Sequence, residues 1–267
     1  YLLGIETEDG KNAKVSFVAD ESDLESGLIV LQAKEEPPSV ITLIPDEFVN
    51  PSPIPEAIEE SVREYETGQL TASKSAIIDF LTRSKPRING LQGGPIAPSL
   101  DSEKRLQQII NAVKQLDNSY LAIQGPPGSG KTFTGKHVIA ELVKSGAKIG
   151  IASNSHKAIN NLLLSTAKYC KGNGISATFC CTKDTDPELV DNDVTILKNK
   201  DLTDYTQPGC VLGTTAWGFA REDIAGELDY LFVDEAGQVA VANLIAMSRS
   251  ARNLVLMGDQ MQLGQPS

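Results

Sequence analysis

Residues Leu121 to Thr132 read LAIQGPPGSGKT, an apolar run leading into glycines and a Lys-Thr pair at the spacing G-x-x-x-x-G-K-[ST]. The chemistry that this spacing serves is the cradling of a nucleoside triphosphate. Gly125, Gly128 and Gly130 let the backbone curl around an anion with its N–H groups inward, because a Cβ resists the positive φ that such a nest requires. Lys131 then neutralises the β- and γ-phosphates, Thr132 offers its hydroxyl to Mg²⁺, and a helix from Phe133 to Lys144 presents the positive end of its dipole. Gly125, Pro126, Pro127, Gly128, Ser129, Gly130, Lys131, Thr132 and Phe133 are therefore the candidate nucleotide-binding residues for ATP or ADP.

Two further polar clusters follow apolar runs. After LFV comes Asp234-Glu235-Ala236-Gly237-Gln238. Alone, the carboxylate pair also fits a charged turn capping the next helix. Beside a phosphate loop, Asp234 completes the Mg²⁺ shell with Thr132, and Glu235 orients and deprotonates the attacking water. Gln238, three positions after Glu235, shares a helical face with it and can report the γ-phosphate state. After LVLM comes Gly258-Asp259-Gln260-Met261-Gln262-Leu263, which alone also fits an Asx turn.

Apolar runs joined by helices must position these clusters. From Leu100 onward Ser102 starts a helix, Tyr120 to Gln124 forms a strand, the phosphate loop and its helix follow, and Lys148 to Ala152 forms the next strand. Ser155 caps the helix HKAINNLLLSTAKYC, and Cys210 to Leu212, Tyr230 to Val233 and Leu254 to Met257 are further strands. Continuous apolar strands spaced by helices predict an α/β fold, a parallel sheet covered on both faces behind a P-loop. In such a sheet ligands sit at the C-terminal strand ends, where the distinctive residues lie. Upstream, VSFVA, GLIVLQ and VITLI predict a small antiparallel sheet or barrel, and Glu56 to Gly68 and Thr71 to Arg83 predict two helices. The Gly- and Pro-rich stretch Pro86 to Pro98 is the expected linker, dividing a β-rich segment (1–45) and two helices with linker (46–95) from the α/β part (96–267).

Composition narrows the class. The 267-residue chain is 40% hydrophobic, enough for a large core, and holds no run of 18 apolar residues, so neither a membrane span nor a membrane partner is expected. It begins at Tyr1, which suggests a fragment. Four cysteines without a C-x-x-C pair fit reduced thiols in a cytoplasmic protein, and Cys180-Cys181 sits in the apolar ISATFCC. The net charge of -11 is concentrated upstream: residues 1–99 carry 8 Lys and Arg against 17 Asp and Glu, whereas 100–267 carry 16 against 18. A nucleic-acid partner would therefore meet the second part. His137 and His156 fit packed or capping roles, Trp217 fits either the core or a base stack, and Asp184 to Asp193 reads as a solvated loop.

GPPGSGKT, DEAGQ and GDQMQL, in that order on strand ends, resemble motifs I, II and III of superfamily 1 helicases. DEAxQ with GPPG resembles the 5′-to-3′ branch that contains the up-frameshift RNA helicase and the immunoglobulin-mu-binding helicase. IQGPPGSGKT with ASNSHKAINNLL is similar to bacterial helicase regions, some fused to a RecB-like nuclease. The resemblance covers about 100–267 and implies a P-loop NTPase with a RecA-like parallel sheet, a first motor lobe over 96–267, with stalk-like helices and linker over 46–95. It implies an ATP-driven translocase on single-stranded DNA or RNA, DNA favoured, with ATP/ADP and Mg²⁺ as cofactors. It assigns Gln108 to adenine reading, Ser153-Asn154 and Gly213-Thr214-Thr215 to the nucleic-acid backbone, and Gln262 to the γ-phosphate region, coupling hydrolysis to movement. Neutral hydroxyl, amide and N–H donors at those segments answer the objection from acidity. By the same resemblance residues 1 to about 45 belong to an inserted β-barrel and the next two helices to its stalk. SNSH and LGQP depart from the usual TN-x-A and Pro-Pro. The resemblance also implies a second RecA-like lobe carrying arginines, so this chain alone is expected to bind nucleotide with little or no turnover. The phosphate site by itself equally serves a P-loop switch that regulates a protein partner without unwinding.

Overall fold

The computed structural model describes residues 2–6, 12–23, 25–34, 44–45, 50–71, 74–184 and 186–259, and the chain divides into two compact units, Tyr1–Pro51 and Ser52–Ser267. In the first unit β1 (Leu2–Glu6), β2 (Asn12–Phe17), β3 (Leu31–Gln32) and β4 (Ile44–Pro45) form an antiparallel sheet in the order β3-β2-β1-β4. Leu2 faces Ser16 and Gly4 faces Lys14 across the β1–β2 ladder. Most of VITLI lies outside the described residues.

The second unit runs α1 (Ile54–Glu66), α2 (Ala76–Leu81), α3 (Ser102–Lys114), β5 (Tyr120–Gln124), α4 (Lys131–Lys144), β6 (Ile149–Ala152) and α5 (His156–Gly172). It continues with β7 (Thr178–Cys181), α6 (Glu188–Asp191), β8 (Val194–Ile196), β9 (Cys210–Gly213), α7 (Ala216–Phe219), β10 (Leu228–Val233), α8 (Val241–Ser248) and β11 (Ala251–Gly258). The seven strands β5 to β11 form one parallel sheet in the order β5-β11-β10-β6-β9-β7-β8. Parallel neighbours need crossovers, and these place helices on both faces. Successive side chains of β10 show the consequence. Tyr230 and Phe232 enter a core shared with α3, α4 and α5, while Leu231 and Val233 enter one shared with α1, α2, α7 and α8. A strand buried on both sides has no polar face, hence its continuous apolar run.

The register brings the motifs together. Gln124 pairs with Gly258, Val233 with Leu256, Val233 with Ala152 and Ile151 with Gly213, so the C-terminal ends of β5, β11, β10, β6 and β9 line one edge of the sheet.

Several expectations are corrected. The division falls after Pro51, not within Pro86 to Pro98, because α1 and α2 bury Ile54, Ala57, Ala76 and Ile77 against the parallel sheet. The second upstream helix is only Ala76–Leu81. Helix α3 does start at Ser102, and Asp101 caps it, its carboxylate accepting the Lys104 N–H at 2.9 Å. The helix after the phosphate loop begins at Lys131. Glu235 and Gln238 do not share a helical face: Ala236–Gln238 is a single 3-10 turn, and α8 starts only at Val241. Strands β7 and β8 and the short helix α6, inside the expected solvated loop, were not legible as elements.

Candidate functional site

The apolar β5 ends at Gln124 and the loop to α4 needs backbone that only glycine adopts freely. Gly128 and Gly130 have φ of 79° and 86°. Gly125, against expectation, has no positive φ; a Cβ there would lie 2.3 Å from Ser129 Oγ, so a larger residue requires Ser129 to move. Gly130 is the N-cap of α4 and supplies no side-chain cap, which leaves first-turn N–H groups available to an anion. The Gly125 N–H donates to the Gly258 carbonyl at 3.1 Å and ties the loop to the end of β11. Lys131 Nζ donates to the carbonyls of Gly125 at 2.6 Å and Pro126 at 3.0 Å, holding the ammonium over its own loop. Thr132 and Phe133 are exposed. Phe133 lies against His137, with ring centroids 4.1 Å apart, and His137 also packs on Tyr169. His137 thus has a packed role.

At the end of β10 the Asp234 N–H donates to the Ala152 carbonyl at 2.8 Å, and Asp234 Oδ1 accepts the Glu235 N–H at 3.0 Å. Burial raises the Asp234 carboxyl above its ordinary value, aided by the neighbouring Glu235 carboxylate and opposed by the Glu235 N–H and by the Lys131 charge. Glu235 sits in the left-handed region at φ 52°, a conformation that costs a non-glycine residue roughly 1 kcal/mol or more. Ser153 Oγ donates to Glu235 Oε2 at 3.3 Å, the Gln238 N–H donates to the Glu235 carbonyl at 2.8 Å, and Asn154 Nδ2 donates to the Gln238 carbonyl at 2.6 Å.

These residues fit a magnesium nucleotide. The loop offers N–H groups to an anion, and Asp234 is a half-buried carboxylate whose desolvation Lys131 offsets only in part, an environment that a divalent cation would complete.

The residues expected to meet nucleic acid are mostly inside. Ser153 is 3% exposed, Gly213 is buried and Thr214 is fully buried. Thr214 Oγ1 accepts from Thr182 Oγ1 at 2.8 Å and donates to Asn199 Oδ1 at 2.9 Å. Asn154 and Thr215 are half-buried. Trp217 packs against the core on the α7 side of the sheet. Thr182 and Asn199 belong to this strand-end cluster, and the one available signal was a polar residue directly after TFCC. His156 starts α5. Burial, then the Lys183 charge, lowers its pKa below 6.5, which keeps it neutral at pH 7.

Gln108 accepts the Ser99 N–H through Oε1 at 3.0 Å and lines a cavity of about 240 Å³ with Ile88, Gly90, Leu91 and Ile96. The Gly- and Pro-rich stretch expected as a linker is therefore one wall of this cavity. Gln262 lies outside the described residues. All four cysteines are buried free thiols; burial pushes Cys180 up to about 12 and the other three up to about 11. Among the described residues no helix is long and apolar enough to cross a membrane.

Residues 108–266, more than half of the chain, match the model of the AAA domain family. The chain is 27% identical over 193 residues to the DNA replication ATP-dependent helicase/nuclease DNA2 of Saccharomyces cerevisiae, covering 67% of this chain and 12% of that protein. It is 29% identical over 170 residues to the DNA replication ATP-dependent helicase/nuclease JHS1 of Arabidopsis thaliana, covering 62% and 12%. The chain thus spans about an eighth of the length of these relatives. The crystal structure of arterivirus nonstructural protein 10, a helicase, aligns with 99% of this chain and 46% of its own, at 14% identity and a TM-score of 0.37. At that score the fold rests on this chain's own strand order.

Proposed function

Because the chain belongs to the AAA domain family, as a superfamily 1 helicase motor lobe of the up-frameshift-like branch, we propose that it is the ATP-binding lobe of a DNA helicase. The observation that carries this reading is the convergence of three motifs on adjacent strand ends. The Gly125 N–H reaches the Gly258 carbonyl, and the Lys131 charge acts on Asp234.

In this reading the loop Gly125 to Thr132 binds the triphosphate through its N–H groups, and Lys131 leaves the carbonyls of Gly125 and Pro126 for the β- and γ-phosphates. Thr132 and Asp234 hold Mg²⁺, which supplies charge neutralisation at the phosphates. Glu235 orients the attacking water and accepts its proton, and Gln262 contacts the γ-phosphate region. The cavity beside Gln108 receives the adenine, and the half-buried Gln238 reports the state of the γ-phosphate. The names of the relatives, DNA replication helicase/nucleases, favour DNA over RNA and a nuclease in the same polypeptide. A second RecA-like lobe completes hydrolysis, and residues 1–45 serve as part of an accessory barrel.

The test is a titration of this chain with fluorescent ATP and ADP in Mg²⁺, wild type against Lys131→Ala, followed by strand-stimulated hydrolysis and unwinding by the full-length protein. Saturable binding that drops at least tenfold in the variant, and unwinding of DNA, is the expected result. Wild-type binding without any response to DNA or RNA would leave a protein-regulating switch instead. Rapid turnover by the isolated chain, abolished by Lys131→Ala, would overturn the need for a second lobe.

A further inference from the structure

Ser153 and Asn154 follow β6, where the family resemblance puts a nucleic-acid contact, yet each gives a side-chain hydrogen bond to the turn after β10. Ser153 is 3% exposed, so a strand lying over the sheet edge has no access to its hydroxyl. That hydroxyl's single proton goes to Glu235 Oε2 at 3.3 Å. The next residue, Asn154, donates to the Gln238 carbonyl at 2.6 Å. Two consecutive residues therefore hold the first and last members of one tight turn, Glu235 to Gln238, which its own Gln238 N–H to Glu235 carbonyl bond closes at 2.8 Å. Glu235 needs such support, because its backbone sits at φ 52°, where a residue with a Cβ stays only if its surroundings fix it.

We propose that Ser153 and Asn154 are positioning residues of the hydrolytic turn: they fix Glu235 and Gln238 from the end of β6. The inference rests on Glu235 being the general base. A base displaced by about 1 Å loses on the order of a hundredfold in rate, so loosening one support has a large effect without changing any ligand contact. The support runs through the hydrogen bonds named above and through the β6–β10 ladder, in which Ala152 pairs with Val233, one residue before Ser153 on one strand and before Asp234 on the other.

The experiment compares Ser153→Ala, Asn154→Ala, Ser153→Thr and Glu235→Gln in the full-length protein. It measures ATP hydrolysis at saturating oligothymidylate, KM for ATP, and oligothymidylate affinity by fluorescence anisotropy. Expected are a kcat about tenfold lower in the two alanine variants, KM and strand affinity within about twofold of wild type, and recovery of kcat in Ser153→Thr, which keeps the hydroxyl. Should the threonine variant not fold, the Asn154→Ala measurements decide. Weaker strand binding with unchanged kcat would make these residues strand contacts and overturn the proposal. So would unchanged values throughout, or a parallel loss of all three. Glu235→Gln separates the two levels: if it still hydrolyses ATP, the assignment of the base fails; if it does not and Ser153→Ala turns over normally, the positioning role alone fails.

Discussion

Two aspartates lie at opposite ends of the same parallel sheet, and their surroundings differ in kind. Asp79, on α2 beside the N-terminal end of β5, is fully buried. Its Oδ2 pairs with Arg87 and accepts from Ser119 Oγ at 2.8 Å. Arg87 Nε also donates to the Asp117 carbonyl at 3.2 Å, Ser119 N–H donates to Asn253 Oδ1 at 3.1 Å, and Asn253 Nδ2 donates to the Asp229 carbonyl at 3.2 Å. This polar chain fastens α2 and the following segment to β5, β11 and the approach to β10. Asp234, at the other end, has one backbone N–H, the Lys131 charge and an adjacent carboxylate, and burial raises its pKa. A buried charge with a guanidinium and a hydroxyl is spent on structure. A half-buried carboxylate left short of cationic partners at a strand end is available to a ligand.

Exchanging charge for amide at the under-partnered end should have the largest effect. Asp234→Asn should lower hydrolysis by the full-length protein about a thousandfold, roughly 4 kcal/mol in barrier, measured as steady-state phosphate release. Next, Arg87→Ala strands Asp79 without its cation and should cost about 3 kcal/mol in denaturant unfolding, while nucleotide affinity of the folded protein stays within about twofold. Loss of nucleotide binding on a par with the loss of stability would mean that the two ends are not separable. A smaller effect belongs to Asp101→Ala, which removes the α3 cap and should cost about 1 kcal/mol, read from the same unfolding curves. The smallest is a gain: Asp234→Asn should raise the nucleotide-free Tm by about 2 °C. The native carboxyl is raised above its unfolded value, so its destabilising ionisation is complete above the raised pKa. The advantage of the Asn variant should fade as pH falls through that pKa toward 3.8. An advantage that instead grows on acidification would reverse the sign of the comparison.

The Ser153 and Asn154 substitutions extend the contrast to a finer level. They ask whether the under-partnered end is held from β6 as rigidly as Asp79 is held by Arg87.

The phosphate loop, the strands β5, β6, β9, β10 and β11 and the cap at Ser155 were legible in the chain because each depends on local chemistry. Glycine spacing fixes where positive φ is allowed, continuous apolar runs fix doubly buried strands, and a serine before HKAINNLL accepts the Ala158 N–H at 3.1 Å. The strand β8, VTI, was too short to show a pattern, and the cysteines of β7 are equally at home in any core. The helices α1 and α2 looked like parts of another body because an amphipathic stripe states that a face is buried, not against what. The same limit applies to Ser153 and Thr214. Their types and positions suited a phosphate backbone, but tertiary packing turned one hydroxyl onto Glu235 and enclosed the other between Thr182 and Asn199. Sequence by itself determined which residues could do the chemistry and on which strand ends they stand. The strand order β5-β11-β10-β6-β9 decided which of them meet, because a hydrogen bond reaches about 3 Å and residues 82 positions apart come within it only when the sheet makes their strands neighbours.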